Sequence, residues 1–217
     1  MFIIKFYKIL CMSKRRGFFI VFEGPDRSGK TTQINLLFDF LKKKGFDVIL
    51  TREPGGTDVG EKIREIILDP SNKISPLCEL FLYEASRVQH INQKIKPLLS
   101  EGKIILCDRF TLATEAYQGY GRGIDIETVK TLNDIATDGI KPDLIIGFKI
   151  KKEDYIKRKR ETADRIEQDD AFGEIVFKAY EKIYLSRNDI FVVDGSLSID
   201  EIHEVIKKEV LKLINVF

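Results

Sequence analysis

Cysteine and histidine are scarce in this chain: Cys11, Cys78, Cys107, His90 and His203 are all that 217 residues carry. The cysteines lie far apart with no paired metal-ligand spacing. An odd, sparse set of thiols suits a reducing cytoplasm rather than a disulfide framework. No Ser/His/Asp or Cys/His set is visible, and neither histidine stands in a metal or nucleophile constellation. No apolar run reaches the ~18 residues that a membrane span needs. A surplus of one charge is missing too. The 36 basic residues nearly balance 34 acidic ones, net +2, so bulk charge gives no argument for nucleic acid as a partner. Repeats, linkers and low-complexity stretches are absent. Residues 1–11 are apolar, but Lys5 and Lys8 interrupt them and Lys14-Arg15-Arg16 follows, the reverse of a secretory signal. Met12 therefore reads as the working start, residues 1–11 as dispensable, 1–16 as an N-terminal extension, and 17–217 as one domain with a substantial core.

Strand and helix patterns alternate along that domain. Phe18–Phe22, Val48–Thr51, Ile104–Cys107, Leu144–Phe148 and Phe191–Val193 are short apolar strands. Helical periodicity covers Thr31–Lys44, Asp58–Leu68, Pro76–Leu99, Thr111–Gln118, Ile126–Ala136, Glu153–Arg160, Ala171–Leu185 and Ile199–Ile214. A Gly-rich turn is expected at Gly119–Gly123. Inward faces are expected at Val59, Ile63, Ile66 and Ile67, and at Ile202, Val205, Ile206, Val210, Leu213 and Ile214. The pattern predicts an α/β fold with a five-stranded parallel sheet covered by helices on both faces, with ligands at the strands' carboxyl edge.

Gly24-Pro25-Asp26-Arg27-Ser28-Gly29-Lys30-Thr31 fits G-x-x-x-x-G-K-[ST], set between a strand and a helix. Such a turn aims backbone N–H groups and the positive end of a helix dipole at one point, which suits a nucleotide β-phosphate. Lys30 can reach the β/γ-phosphates; the Thr31 hydroxyl can sit on Mg²⁺, and Thr32 follows in the same turn. Thr51-Arg52-Glu53-Pro54-Gly55-Gly56-Thr57 follows strand two, and Asp108-Arg109-Phe110 follows strand three. Arg52 and Arg109 can clamp an anion, with a surface ion pair as the alternative for each. Asp108 fits a Walker B-type carboxylate holding Mg²⁺ through water, and a helix-capping role can coexist. Glu53 is a second acidic partner for the metal region or the arginines.

These segments, with Tyr83-Glu84-Ala85-Ser86-Arg87, Ala116-Tyr117-Gln118-Gly119, Gly121-Arg122-Gly123-Ile124-Asp125 and Asp164-Arg165-Ile166-Glu167, resemble thymidylate kinase from about Gly17 to the last helix. The resemblance implies a three-layer P-loop nucleoside-monophosphate-kinase fold with a short lid near 152–168. It implies a homodimer, with ATP as donor, Mg²⁺ as cofactor and dTMP as acceptor, and no nucleic-acid or membrane partner. By that likeness Arg52 and Arg109 clamp the acceptor phosphate, and Asp26 lies near the sugar 3′-OH. Tyr83 stacks on thymine and Arg87 donates to its O4; a core Tyr and a helix-surface Arg are the alternative. Thr114, Tyr117 and Gln118 lie near the base and the deoxyribose. Arg158, Arg160 and Arg165 secure ATP from the lid; for Arg158 and Arg160 a solvated helix face is the alternative. Many bacterial members carry Gly where Arg27 stands and place a catalytic Arg in the lid. This chain joins a bacterial body to a P-loop Arg, so Arg27 is expected to neutralise transition-state charge.

The residues suit that chemistry on their own terms. A nucleoside monophosphate dianion, with a second pKa of about 6, is already a nucleophile at neutral pH. Catalysis then reduces to positioning and charge neutralisation, which calls for Arg and Lys rather than a base. Two rivals remain: another nucleoside or nucleotide kinase, and a P-loop switch. Asn72-Lys73 is followed by Ile74-Ser75, so no N-K-x-D guanine motif is present.

Overall fold

The computed structural model describes residues 16–158, 165–166 and 170–215. Residues 1–15, Met12 among them, and lid positions 159–164 and 167–169 lie outside the described residues. Five parallel strands form one sheet in the order β2-β3-β1-β4-β5. They are β1 (Phe18–Glu23), β2 (Val48–Arg52), β3 (Ile104–Asp108), β4 (Leu144–Lys149) and β5 (Ile190–Asp194). The helices are α1 (Lys30–Lys43), α2 (Asp58–Leu68), α3 (Pro76–His90), α4 (Lys96–Ser100), α5 (Thr111–Thr114), α6 (Ile126–Thr137), α7 (Lys152–Lys157), α8 (Asp170–Ser186) and α9 (Ile199–Asn215).

Alternation along β1 sends neighbours to opposite faces. Ile20 and Phe22 pack with Ile34, Leu37 and Leu41 of α1 and with Ile202, Ile206 and Val210 of α9. Phe19 and Val21 pack with Ile91, Ile95, Leu99 and Phe110. A further cluster joins Leu112, Ala116 and Tyr117 to Phe172, Val176 and Tyr180 of α8. With apolar side chains covering both faces, the strands need no polar alternation. Phe22 pairs with Asp108, and Asp108 in turn with Arg52, so the three motif-bearing strand ends stand side by side at one edge.

Several elements differ from the sequence pattern. The expected helix Pro76–Leu99 is α3, a π-helical turn Ile91–Ile95, and α4. Thr111–Gln118 becomes α5 followed by a π-helix Glu115–Gly121, so Gly119 and Gly121 are helical rather than turn residues. Close packing requires them: a Cβ would come within 2.5 Å of Ile126 at Gly119 and 2.7 Å of Phe172 at Gly121. The Glu153–Arg160 pattern gives a helix ending at Lys157. On α2 only Ile67 of the four apolar positions is buried; Val59 and Ile66 are exposed, as is Val205 on α9. Periodicity marked those apolar stripes correctly, but neighbouring helices cover only part of each. No described helix is long and apolar enough to cross a membrane.

Candidate active site

The P-loop is held by backbone geometry. Gly24 has φ 154°, and a Cβ there would stand 3.0 Å from the Phe148 carbonyl oxygen. Gly29, at φ 96°, caps α1 in the left-handed region that glycine enters without strain. Lys30 is buried, and its Nζ donates to the carbonyls of Gly24 (3.0 Å) and Pro25 (2.8 Å). Burial, then repulsion from Arg109, lowers its pKa to about 8. The Thr31 hydroxyl donates to Asp108 Oδ2 at 3.3 Å. Asp108 Oδ1 is buried with no hydrogen-bond partner among the described residues. A buried, unbonded carboxylate oxygen beside a P-loop hydroxyl is the hard donor set that Mg²⁺ uses with phosphates and water.

Next to the loop, Arg109 joins two acid–tyrosine chains. Its Nη1 donates to the Gly24 carbonyl (3.0 Å) and to the Tyr180 hydroxyl (3.2 Å), which in turn donates to Glu23 at 3.0 Å. Its Nη2 donates to Asp26 and to the Tyr117 hydroxyl, and that hydroxyl donates to the other Asp26 oxygen. Burial pushes the Asp26 carboxyl up, but Arg109, Lys30 and the Tyr117 hydroxyl outweigh it and hold it below the usual range. For Glu23 burial wins, and its carboxyl is raised despite Arg109. Arg109 adopts φ 72° just after β3 ends at Asp108, with its N–H still held by the Phe22 carbonyl of β1 at 2.9 Å.

Farther along, Arg87 is 1% exposed and its donors are all engaged. Nε donates to Glu53 (2.8 Å); Nη1 to Glu84 (2.8 Å) and Asn133 (2.6 Å); Nη2 to the Phe110 carbonyl (3.0 Å) and Thr114 Oγ1 (2.9 Å). Glu53 is thereby a partner of Arg87, and it also accepts from His90 Nδ1 at 3.0 Å. Burial works against the ionised Glu53; Arg87 and His90 outweigh it and lower its pKa. Gln118 is fully buried, with Nε2 donating to Glu79 at 2.9 Å. Its Oε1 is buried without a hydrogen-bond partner among the described residues.

These clusters meet at one cleft of about 650 Å³. Of the residues expected from sequence, Asp26, Arg27, Ser28, Gly29, Lys30, Thr31, Thr32, Glu53, Tyr83, Arg87, Asp108, Arg109, Thr114, Tyr117, Gln118 and Arg158 line it. Arg52 does not. It is half exposed and paired with Glu61 at 2.7 Å, while Arg64 of α2 lines the cleft. Sequence reasoning missed Arg64; its signal is helical spacing, since Leu68, four residues on, lines the cleft with it. Arg165 is placed away from the P-loop, donating to the Ile67 carbonyl (2.7 Å) and to Glu79 (2.6 Å). Arg160 lies outside the described residues. Arg27, at φ 64°, sets its guanidinium 5.3 Å from the Tyr155 ring centre. Arg158 donates to the Arg27 carbonyl (3.2 Å) and the Gly195 carbonyl (3.4 Å). Gly195, Leu197, Ile199 and Ile202 wall the end nearest Arg158.

The thymidylate kinase family model matches residues 22–206. A thymidylate kinase of Sulfurihydrogenibium sp. is 50% identical over 193 residues, covering 88% of this chain and 95% of that one. The Finegoldia magna thymidylate kinase is 45% identical over 198 residues, covering 88% and 98%. The crystal structure of thymidylate kinase from Ehrlichia chaffeensis superposes with a TM-score of 0.73 at 33% identity, covering 90% of this chain and 98% of that one. Match length, identity and a shared parallel sheet agree, and the chain belongs to the thymidylate kinase family.

Proposed function

We propose that this enzyme transfers the γ-phosphoryl group of ATP to dTMP, giving dTDP. One observation carries the reading: a single cleft joins the buried P-loop Lys30, the Arg109 cluster and the base-sized end bearing Arg87 and Gln118. Backbone N–H groups of the loop and Lys30 hold the donor phosphates. Leu197, Ile199 and Ile202 offer the adenine an apolar slot. Arg109 and, in place of Arg52, Arg64 grip the acceptor phosphate, and Asp26 with Tyr117 orients Arg109. Arg27 neutralises charge on the transferring group, with Arg158 tethering its backbone. Thr31 and Asp108 would hold Mg²⁺, which would neutralise phosphate charge.

Thymine carries a donor at N3 and an acceptor at O4; cytosine reverses both. The Gln118 Oε1 accepts the N3–H, and O4 takes the Nη2 donor that Arg87 lends to the neutral Thr114 hydroxyl. A donor facing a donor, or an acceptor facing an acceptor, rejects cytosine. Tyr83 lines the same end as a stacking surface. The enzyme works as a cytoplasmic homodimer in this reading. Cys78 and Cys107 are unpaired. Exposed Val59 and Ile66 of α2 and Leu77, Phe81 and Val88 of α3 make an apolar face suited to a second copy. Sedimentation velocity should show Phe81→Glu shifting dimer to monomer.

Coupled ADP release, with ATP, Mg²⁺ and a panel of dTMP, dUMP, dCMP, UMP, AMP and thymidine, tests the function. Strong turnover with dTMP and little with dCMP or thymidine is expected, and chelation of Mg²⁺ should abolish it. Preference for dCMP, or ADP release independent of any acceptor, overturns the reading.

A further inference from the structure

Glu79 lies in the first turn of α3, is completely buried, and touches no P-loop residue by any hydrogen bond. Its Oε1 accepts from Gln118 Nε2 (2.9 Å) and Arg122 Nε (3.0 Å). Its Oε2 accepts from Arg122 Nη2 (3.1 Å) and Arg165 Nη2 (2.6 Å). The Arg122 guanidinium is also held 4.0 Å over the Phe172 ring, and Arg165 is anchored on the Ile67 carbonyl. Burial pushes the Glu79 carboxyl up, but its bonds from Arg122, Gln118 and Arg165 outweigh that and keep it low. It is therefore ionised at neutral pH and can only accept hydrogen bonds.

An acceptor-only neighbour decides which way an amide faces. Gln118 must turn its Nε2 toward Glu79, which leaves its Oε1 as the atom without a protein partner. We propose that Glu79 is a positioning residue for base selectivity: it locks the Gln118 amide so that the cleft meets an acceptor, the polarity that suits the N3–H of thymine and repels N3 of cytosine. The inference rests on the placement of the base given above. Replacing the carboxylate by an isosteric amide breaks the lock. The two arginines claim the single remaining oxygen, the new NH₂ faces Gln118, and the Gln118 amide turns over to present a donor.

The test is the ratio of kcat/KM for dTMP to that for dCMP in wild type, Glu79→Gln and Glu79→Asp. Glu79→Gln should lower the ratio about tenfold or more, the scale of one mispaired buried hydrogen bond. Glu79→Asp keeps an acceptor-only group and should hold the ratio even where turnover falls. A merely structural role would damage turnover in both variants and leave both ratios alone. A folded Glu79→Gln enzyme with an unchanged, high ratio overturns the proposal. A wild-type ratio near one overturns the base placement, and the proposal with it, and is distinguishable for that reason. Should Glu79→Gln not fold, the wild-type Gln118 side-chain NH₂ settles the matter by NMR. Slow hydrogen exchange supports the lock, and exchange as fast as a surface glutamine overturns it.

Discussion

At the proposed acceptor end, Arg87 bonds to five residues and Arg109 to four. At the donor end, Lys30 and Arg158 rest on backbone carbonyls alone among the bonds recorded for them. Phosphate oxygens would compete with those carbonyls, whereas the many side-chain partners of Arg87 and Arg109 fix the planes of their guanidiniums. A largely preorganised acceptor site discriminates shape and hydrogen-bond polarity with one exchange of partner, at the Thr114 hydroxyl. The donor site instead gains its bonds on binding, and that suits a common nucleotide recognised mainly by phosphate.

The contrast can be broken most severely at Arg27, which the proposal assigns to the reaction rather than to either binding site. Arg27→Ala should lower kcat about a thousandfold, the lower end for an arginine finger, with ATP affinity little changed. Single-turnover kinetics beside equilibrium binding checks both halves. Next is Arg109→Met, which strands Asp26 and removes the phosphate clamp. A loss of about a hundredfold or more in kcat/KM for dTMP is expected, with a lowered melting temperature. The third test sets Arg64 against Arg52. Arg64→Ala should raise KM for dTMP about tenfold, while Arg52→Ala, which breaks an exposed pair with Glu61, should change it by less than about threefold. Equal effects would restore Arg52 to the acceptor site.

The smallest effect is a proton. Lys30 has a pKa lowered to about 8, below its ordinary value, so the free enzyme binds fewer protons there than the unfolded chain does above that pH. The stability of the ligand-free enzyme therefore gains from Lys30 as pH rises through about 8 toward 10.5, the range over which the unfolded lysine stays charged. Bound phosphate restores the charge. At pH 9 nucleotide binding should take up nearly one proton and at pH 7 almost none, as calorimetry in buffers of different ionisation enthalpy will show. Uptake equal at both pH values would mean that Lys30 is not the group phosphate meets.

Much of this was legible in the sequence because the chemistry sits at strand ends. The five apolar runs became the five strands, and Gly24–Thr31 and Asp108-Arg109 fell at one edge because parallel topology puts every strand's carboxyl end there. Helix-borne residues were harder to place. Arg64 has no motif around it, and Arg52, nearer a strand end, looked the better clamp. Arg165 follows a basic run, yet it folds against α2 and Glu79 rather than toward the P-loop. Glu79 reads as an ordinary acidic first-turn residue, because its importance comes from partners 39 to 86 positions away in sequence. The exposed stripes on α2 and α3 share their periodicity with core faces, since periodicity reports what a helix could bury and not what covers it.

Among the described residues three non-glycine positions hold positive φ, Arg27, Arg109 and Asp138, and the first two border the cleft. A left-handed backbone costs an L-residue roughly 1–2 kcal/mol relative to glycine. Selection for heat resistance alone would therefore favour glycine at Arg27, raising the melting point while removing the guanidinium. If Arg27 acts as proposed, thermostability and turnover should diverge at this codon first in laboratory evolution, and a library screened only for survival of heating would discard its guanidinium before it touched the core.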